Sequence, residues 1–332
     1  MFKFIAKLLL VAAAVAPLAG HTEESTIKLG YAKCAHCTPL ALTPENASGV
    51  KIDAIGFNTG NDVLTALVSK SLDVAQVTYL HFAMALDRGF DVVAISGQIN
   101  GGSQMLIGNS VPVTANNWDS LKKLIAQYKA EGKVFRVAAS RGNASDLQMR
   151  GSFATHGIDV NKDVEFVNIP NPSDHMQALR RGDVQLISTV EPYATQIRQL
   201  HAAKFFAFPY DQAAANLANL ILTRPDVIAS DPKGVQATVN AIIKVDNMVA
   251  ANKALWVDTI GKVTGLDKAV AEGAVENLTA DDKMYRGAAV SIGQMMHDLK
   301  YINSDVSSAI KAHMDYQFLE VATGKPKTEL GY

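Results

Sequence analysis

Between residues 26 and 97, short apolar runs alternate with segments whose apolar positions recur at helical spacing. The runs "TIKLGYA", "VKIDAIGF", "DVAQVTY" and "DVVAISG" read as strands, with "NDVLTALVSKS" and "FAMALDRG" as helices among them. From residue 118 the order repeats: helix "WDSLKKLIAQYKAEG", strand "KVFRVAAS", helix "SDLQMRGSFATHG", strand "DVEFVNI", helix "SDHMQALRRG", strand "DVQLISTV". Such alternation predicts βα units and mostly parallel sheets. The blocks also match in detail, because "NDVLTALVSKSLDVAQVTY" lies over "SDHMQALRRGDVQLIST". Each has a polar cap (Asn61, Ser173), an inward Ala-Leu pair (Ala66 and Leu67, Ala178 and Leu179) and an Asp leading into a strand. Gly182 suits the end of the second helix.

"NSVPVTANNW", residues 109–118, breaks the pattern with Pro112 and adjacent asparagines, and predicts a crossing between two lobes. A second crossing is expected in "FPYDQAAANLANLILTRPD", with a returning strand around Leu220 to Thr223. From Pro232 onward the period is helical, with starts at Asp231-Pro232 and Ser304-Asp305. The expected fold is α/β: a two-lobed clamshell, each lobe a mostly parallel sheet flanked by helices, with extra C-terminal helices. Lobe one is assigned to residues 25–110 plus 225–332, and lobe two to 111–224. Its cleft would lie at the carboxyl ends of the strands, where open α/β sheets bind ligands.

The N-terminus breaks this rhythm. Lys3 and Lys7 precede "LLLVAAAVAPLAG", and polar "HTEES" follows, which is the build of a signal peptide over residues 1–21. Thirteen apolar residues are too few to span a membrane of about 30 Å as a helix. "LAGH" resembles the lipoprotein box "LAGC", but His21 stands where the acylated cysteine would be. A soluble, freely diffusing periplasmic monomer is expected. Net charge is −1 over 332 residues and moves to −3 once Lys3 and Lys7 are lost, with 48% hydrophobic residues. The balance lacks the basic excess that nucleic-acid or anionic-membrane binding requires, which leaves a small molecule or a protein as partner.

Common catalytic signatures are absent: no G-x-S-x-G elbow, H-E-x-x-H, P-loop or dinucleotide fingerprint occurs. What remains is a set of strand-end loops: "NTGND", "VTYLH", "SGQINGG", "SRGNASD", "PNPSD" and "TVEPY". Several open a helix, where unpaired N–H groups and the positive dipole end favour anions. Arg141 supplies a guanidinium for a sulfonate, carboxylate or nitrate. Glu191 either grips an ammonium or pairs with Arg141, so an amino-sulfonate such as taurine is also permitted.

"YAKCAHCTPL" holds both cysteines, with a histidine between them. Three readings stand: a Cys34–Cys37 disulfide in an oxidising compartment, a metal site of Cys34, His36 and Cys37 with a fourth ligand such as His81 or Met105, or direct contact of Cys34 and Cys37 with a ligand. A bridge across two residues closes so small a loop that stability is a weak reason for it.

Two long stretches, "TGNDVLTALVSKSLDVAQVTYLHFAMALDRGFDVVAISG" and "VAASRGNASDLQMRGSFATHGIDVNKDVEFVNIPNPSDHMQALRRGDVQLISTVEP", resemble the nitrate, sulfonate and taurine class of substrate-binding proteins of ABC importers. That group is related to thiamine-precursor binders and has the type II periplasmic-binding-protein fold. The resemblance runs from about Thr26 to the C-terminal helices. It implies a non-enzymatic receptor without a cofactor that captures a small anionic solute and delivers it to a membrane permease and its ATPase. It further implies Asn61, Thr78, Ser96, Arg141, Asn143 and Glu191 as contacts, with Tyr31 and Tyr193 as walls. The chain departs from relatives at Ser140-Arg141-Gly142-Asn143, where Ser-Gly-Ser-x is frequent, and at Lys33-Cys34-Ala35-His36-Cys37. The alternative is a metal- or thiol-dependent periplasmic enzyme or metal binder built on Cys34, His36 and Cys37.

Overall fold

The computed structural model describes residues 24–332, so the predicted signal peptide lies outside the described residues. The strands are β1 (Thr26–Ala32), β2 (Lys51–Phe57), β3 (Val74–Thr78), β4 (Val93–Gly101), β5 (Ser103–Gly108), β6 (Arg136–Ala139), β7 (Glu165–Asn168), β8 (Leu186–Val190), β9 (Ala203–Ala207), β10 (Asn219–Thr223) and β11 (Leu278–Asp281). They form two sheets, ordered β11-β4-β10-β3-β1-β2 and β7-β6-β8-β5-β9.

Within each sheet the βα units run parallel: β1 pairs with β2 and β3, and β6 with β7 and β8. The sheets are nevertheless mixed. β10 runs against β3 and β4, and β5 against β8 and β9, because each enters its sheet from the other lobe. From one edge, β2-β1-β3-β10-β4 and β7-β6-β8-β5-β9 share one topology, with the crossing strand in fourth place. The repeat seen from Asn61 and from Ser173 falls on equivalent units, the helix and third strand of each lobe.

The crossings correct the predicted lobe boundaries. β5 belongs to the second sheet and β10 to the first, so the chain crosses at Gly101–Gly102 and again between β9 and β10. The divisions at 110/111 and 224/225 therefore miss both crossing strands. The Pro112 loop instead joins β5 to the helix Trp118–Ala130 within lobe two.

Alternation along β5 explains its place. Met105 and Ile107 enter one apolar cluster with Val137, Phe153 and Leu186, while Leu106 enters another with Ala138, Ile187 and Ile197. Both faces of this sheet are thus covered by helices, which makes it a buried α/β layer. Leu29, Val74, Ile95 and Leu222 centre the core of lobe one, to which the C-terminal helices add Ile242, Ile292 and Phe318. The long helix Pro232–Ala251 starts as predicted: Gly234 N–H donates to Asp231 Oδ1 at 2.8 Å, with Pro232 in the first turn. The segment "SDVSSAIKAHMDYQFLEV" splits into Ser307–Ala312 and Gln317–Thr323, since its middle pairs with β4 through Ala94 N–H to His313 O and Asp315 N–H to Ala94 O. Among the described residues, no helix is long and apolar enough to cross a membrane.

Candidate functional site

Five of the six strand-end loops meet between the sheets, lining a cavity through Gly60, Thr78, Asn143, Pro172 and Tyr193. Three helices begin there: Gly60–Val68, Tyr79–Asp87 and Ala144–Thr155. Thr59, extended at φ −136°, accepts from Asp62 N–H through Oγ1 at 3.2 Å. Thr78 forms a reciprocal cap, its Oγ1 accepting from His81 N–H while its own N–H donates to His81 Nδ1. Asn143 makes no side-chain cap bond; its Nδ2 donates to Ser140 Oγ at 2.7 Å. Intrahelical bonding leaves the first N–H groups of every helix without partners, and three such ends facing one cavity build a positive field. Two predicted caps are displaced. Asn61 lies inside its helix, one residue past its start, and Ser173 lies in the short 3-10 turn Pro172–Asp174.

The cavity measures about 50 Å³. Lys33 is the one residue of fixed charge among those that line it, and no Asp or Glu is among them. Lys33 is not among the contacts selected from sequence, although it directly follows the apolar run of β1.

Its neighbours form a rigid wall. Cys34 and Cys37 are bonded to each other, with Cα atoms 5.1 Å apart, and both line the cavity with His36. Lys33 N–H donates to Phe57 O, Ala35 N–H to Glu191 O, Trp256 Nε1 to Ala35 O, and Asn219 Nδ2 to His36 O. Burial holds the His36 imidazole neutral, with its pKa lowered to about 4. Its Nε2 lies 3.3 Å from Cys34 Sγ, and its Nδ1 has no hydrogen-bond partner among the described residues.

A polar relay links the two lobes beside the cavity. Since Thr78 N–H donates to His81 Nδ1, the proton of the neutral ring sits on Nε2 and is donated to Asn61 Oδ1 at 3.2 Å. Asn61 Nδ2 then donates to Arg141 O in the opposite lobe at 2.9 Å. Desolvation drives the His81 pKa down to about 3, which keeps the ring neutral.

Other selected residues lie off the cavity lining. Ser96 lies within β4, paired with Ile221 of β10, and its Oγ donates to Gly97 O; the loop expected over Ser96 to Gly102 is instead strand as far as Gly101, because β11 pairs along Gln98 to Gly101. The Arg141 guanidinium turns outward over the Phe166 ring at 4.8 Å, so only its carbonyl serves the cleft. Tyr31 is buried opposite Gly56 in the β1–β2 register. Glu191 does not pair with Arg141. Its buried carboxyl accepts from Gln104 Nε2 at 2.5 Å and Thr195 N–H at 3.0 Å, with Arg198 at 3.9 Å. Burial raises its pKa to about 7. Neither suggested fourth metal ligand is available: both His81 nitrogens are engaged, and Met105 lies in the core of lobe two.

A family model described as the NMT1-like family matches residues 20–260. The bicarbonate-binding protein CmpA of Synechococcus sp. is 23% identical over 248 residues, covering 68% of this chain and 54% of its own length. The chain thus spans about half of that relative. The periplasmic nitrate-binding protein NrtA from Synechocystis PCC 6803 superposes with a TM-score of 0.78 at 14% identity, covering 93% of this chain and 91% of its own. The periplasmic aliphatic sulphonate binding protein SsuA from Escherichia coli gives 0.70 at 15% identity, covering 88% and 92%. At such identities these structures establish the two-lobed fold.

Proposed function

The chain belongs to the NMT1-like family, and from that premise we propose that it is a periplasmic solute receptor of an ABC importer. It captures a small oxyanion between its lobes and hands it unaltered to a membrane permease. The observation that carries this reading is the convergence of three helix N-termini and Lys33 on a carboxylate-free cavity. Each of those groups favours negative charge, and none is a nucleophile or a base placed for bond chemistry. Size narrows the class. About 50 Å³ suits a compact anion such as nitrate or bicarbonate better than an alkanesulfonate with its chain. The names of CmpA, NrtA and SsuA bracket the same chemistry.

Calorimetric titration of the mature protein with nitrate, bicarbonate, taurine and ethanesulfonate tests this. One or more compact anions should bind with one-to-one stoichiometry. Lys33→Ala should weaken that binding by at least tenfold while leaving the unliganded melting temperature within a degree or two, since Lys33 is half-buried in a loop. Equal affinity in wild type and variant would remove Lys33 from the site.

A further inference from the structure

The anion reading does not use the sulfur-rich wall. Cys34, His36 and Cys37 place three potential ligand atoms within 4.8 Å of one another, all buried and all lining the cavity. We propose that, when the Cys34–Cys37 bond is reduced, these residues form a binding site for a thiophilic d¹⁰ metal ion such as Zn(II), with its fourth coordination position open to the cavity.

Geometry fits the donor set. Zinc takes thiolate at about 2.3 Å and imidazole at about 2.0–2.1 Å, so its ligand atoms stand about 3.5–4 Å apart. His36 Nε2 is already 3.3 Å from Cys34 Sγ. The backbone that carries the three residues is fixed by bonds to Phe57, Glu191, Trp256 and Asn219, so opening the sulfur–sulfur bond leaves the loop in place while the two sulfurs turn apart about their Cα–Cβ bonds to ligand spacing. The buried, unpartnered His36 Nδ1 marks an imidazole not spent on a structural hydrogen bond. Three protein ligands and one open position is the pattern of zinc sites that also bind a small molecule.

The chemistry balances. A phosphine delivers an electron pair to the disulfide and leaves as its oxide, with water supplying the oxygen; Cys34 and Cys37 become thiols, and metal binding then releases their protons to the buffer. A peroxide, taking two electrons from the thiolates and two protons from the buffer and leaving as water, re-forms the sulfur–sulfur bond and expels the metal, so occupancy follows the redox state of the wall.

The test uses the full mature chain under anaerobic conditions in a chloride buffer without candidate oxyanions, so a failed anion screen and a failed metal test are separate results. Reduced protein, incubated with Zn(II) and passed through a desalting column, should retain one equivalent, and oxidised protein none. Co(II) in place of Zn(II) should give thiolate charge-transfer absorption and a tetrahedral ligand-field band. Cys34→Ser and His36→Gln should each weaken Zn(II) binding at least tenfold, with folding checked by circular dichroism. Where a variant does not fold, alkylating both thiols of the folded reduced wild type should abolish retention. No zinc on reduced wild type, equal retention by the oxidised form, or retention unchanged by those substitutions or by alkylation would overturn the site.

Discussion

Glu191 shows how one buried carboxyl sets a pH dependence. Its oxygens meet Gln104 and Thr195, yet burial outweighs these bonds and pushes its pKa from 4.5 to about 7. A group that holds its proton more tightly when folded stabilises the native state below its unfolded pKa, and that contribution is lost as pH rises through about 7. His175, lowered to about 4 by burial, has the opposite sign: its contribution is complete above 6.5 and is lost as pH falls toward 4. Glu191→Gln isolates the first effect. An amide can be accommodated because Gln104 Oε1 has no partner and can turn to accept from it. Between pH 5 and 8, wild type should lose up to roughly 3 kcal/mol relative to the variant, from the difference between 4.5 and about 7. Urea midpoints measured across that range read it, and parallel curves would mean that Glu191 is ionised throughout.

At the scale of elements, Thr78 joins a strand, a helix and the relay to Asn61. Thr78→Ala removes the cap of Tyr79–Asp87 and the hydroxyl beside His81 Nδ1, 2.8 Å away. Loss of a cap costs about 1 kcal/mol, visible as a lower urea midpoint, while Thr78→Ser should restore most of it. Equal destabilisation by both would point to the lost methyl instead. The strand–helix alternation of both lobes was legible because each unit buries an apolar run beside a 3.6-period helix, as in "DVAQVTY" and "DVQLISTV". β5, β9 and β11 were not. β11 is a short, half-buried strand whose partner, β4, lies far away in sequence, and that pairing extends β4 from Gln98 to Gly101. The cleft loops could be located from strand ends, but the cation could not. Arg141 and Lys33 look equally suited as residues, and only the Phe166 ring, offered by β7, turns Arg141 outward. The placement of Glu191 beside Gln104 likewise depends on β5 pairing with β8, which periodicity does not reveal.

For the molecule as a whole, the relation of the lobes depends on the crossing between β4 and β5. Gly101 and Gly102 both sit at positive φ, 94° and 87°, a region that disfavours side chains. Gly101 N–H donates to Asn216 O, Gly102 N–H to Asn277 O, and Gly102 O accepts from Glu191 N–H at 2.7 Å. The crossing is therefore tied both to the returning chain and to the second lobe. Across the cleft, Asn61 bonds Arg141 O, and Tyr301 Oη donates to Asp146 Oδ2 at 2.6 Å, so the two halves are bonded to each other there. A methyl at Gly101 would come within 2.2 Å of Asn277 O, a backbone atom that cannot swing aside as a side chain would. Gly101→Ala should therefore cost at least about 2–3 kcal/mol and lower the calorimetric melting temperature by roughly 3–5 °C. Gly287→Ala is the matched control, since its added methyl meets nothing within 4 Å and its helical backbone favours alanine. That variant should melt at or slightly above wild type. Equal melting of the two variants would show that the crossing yields without strain, and that the cleft walls, not the glycine pair, fix how the lobes meet.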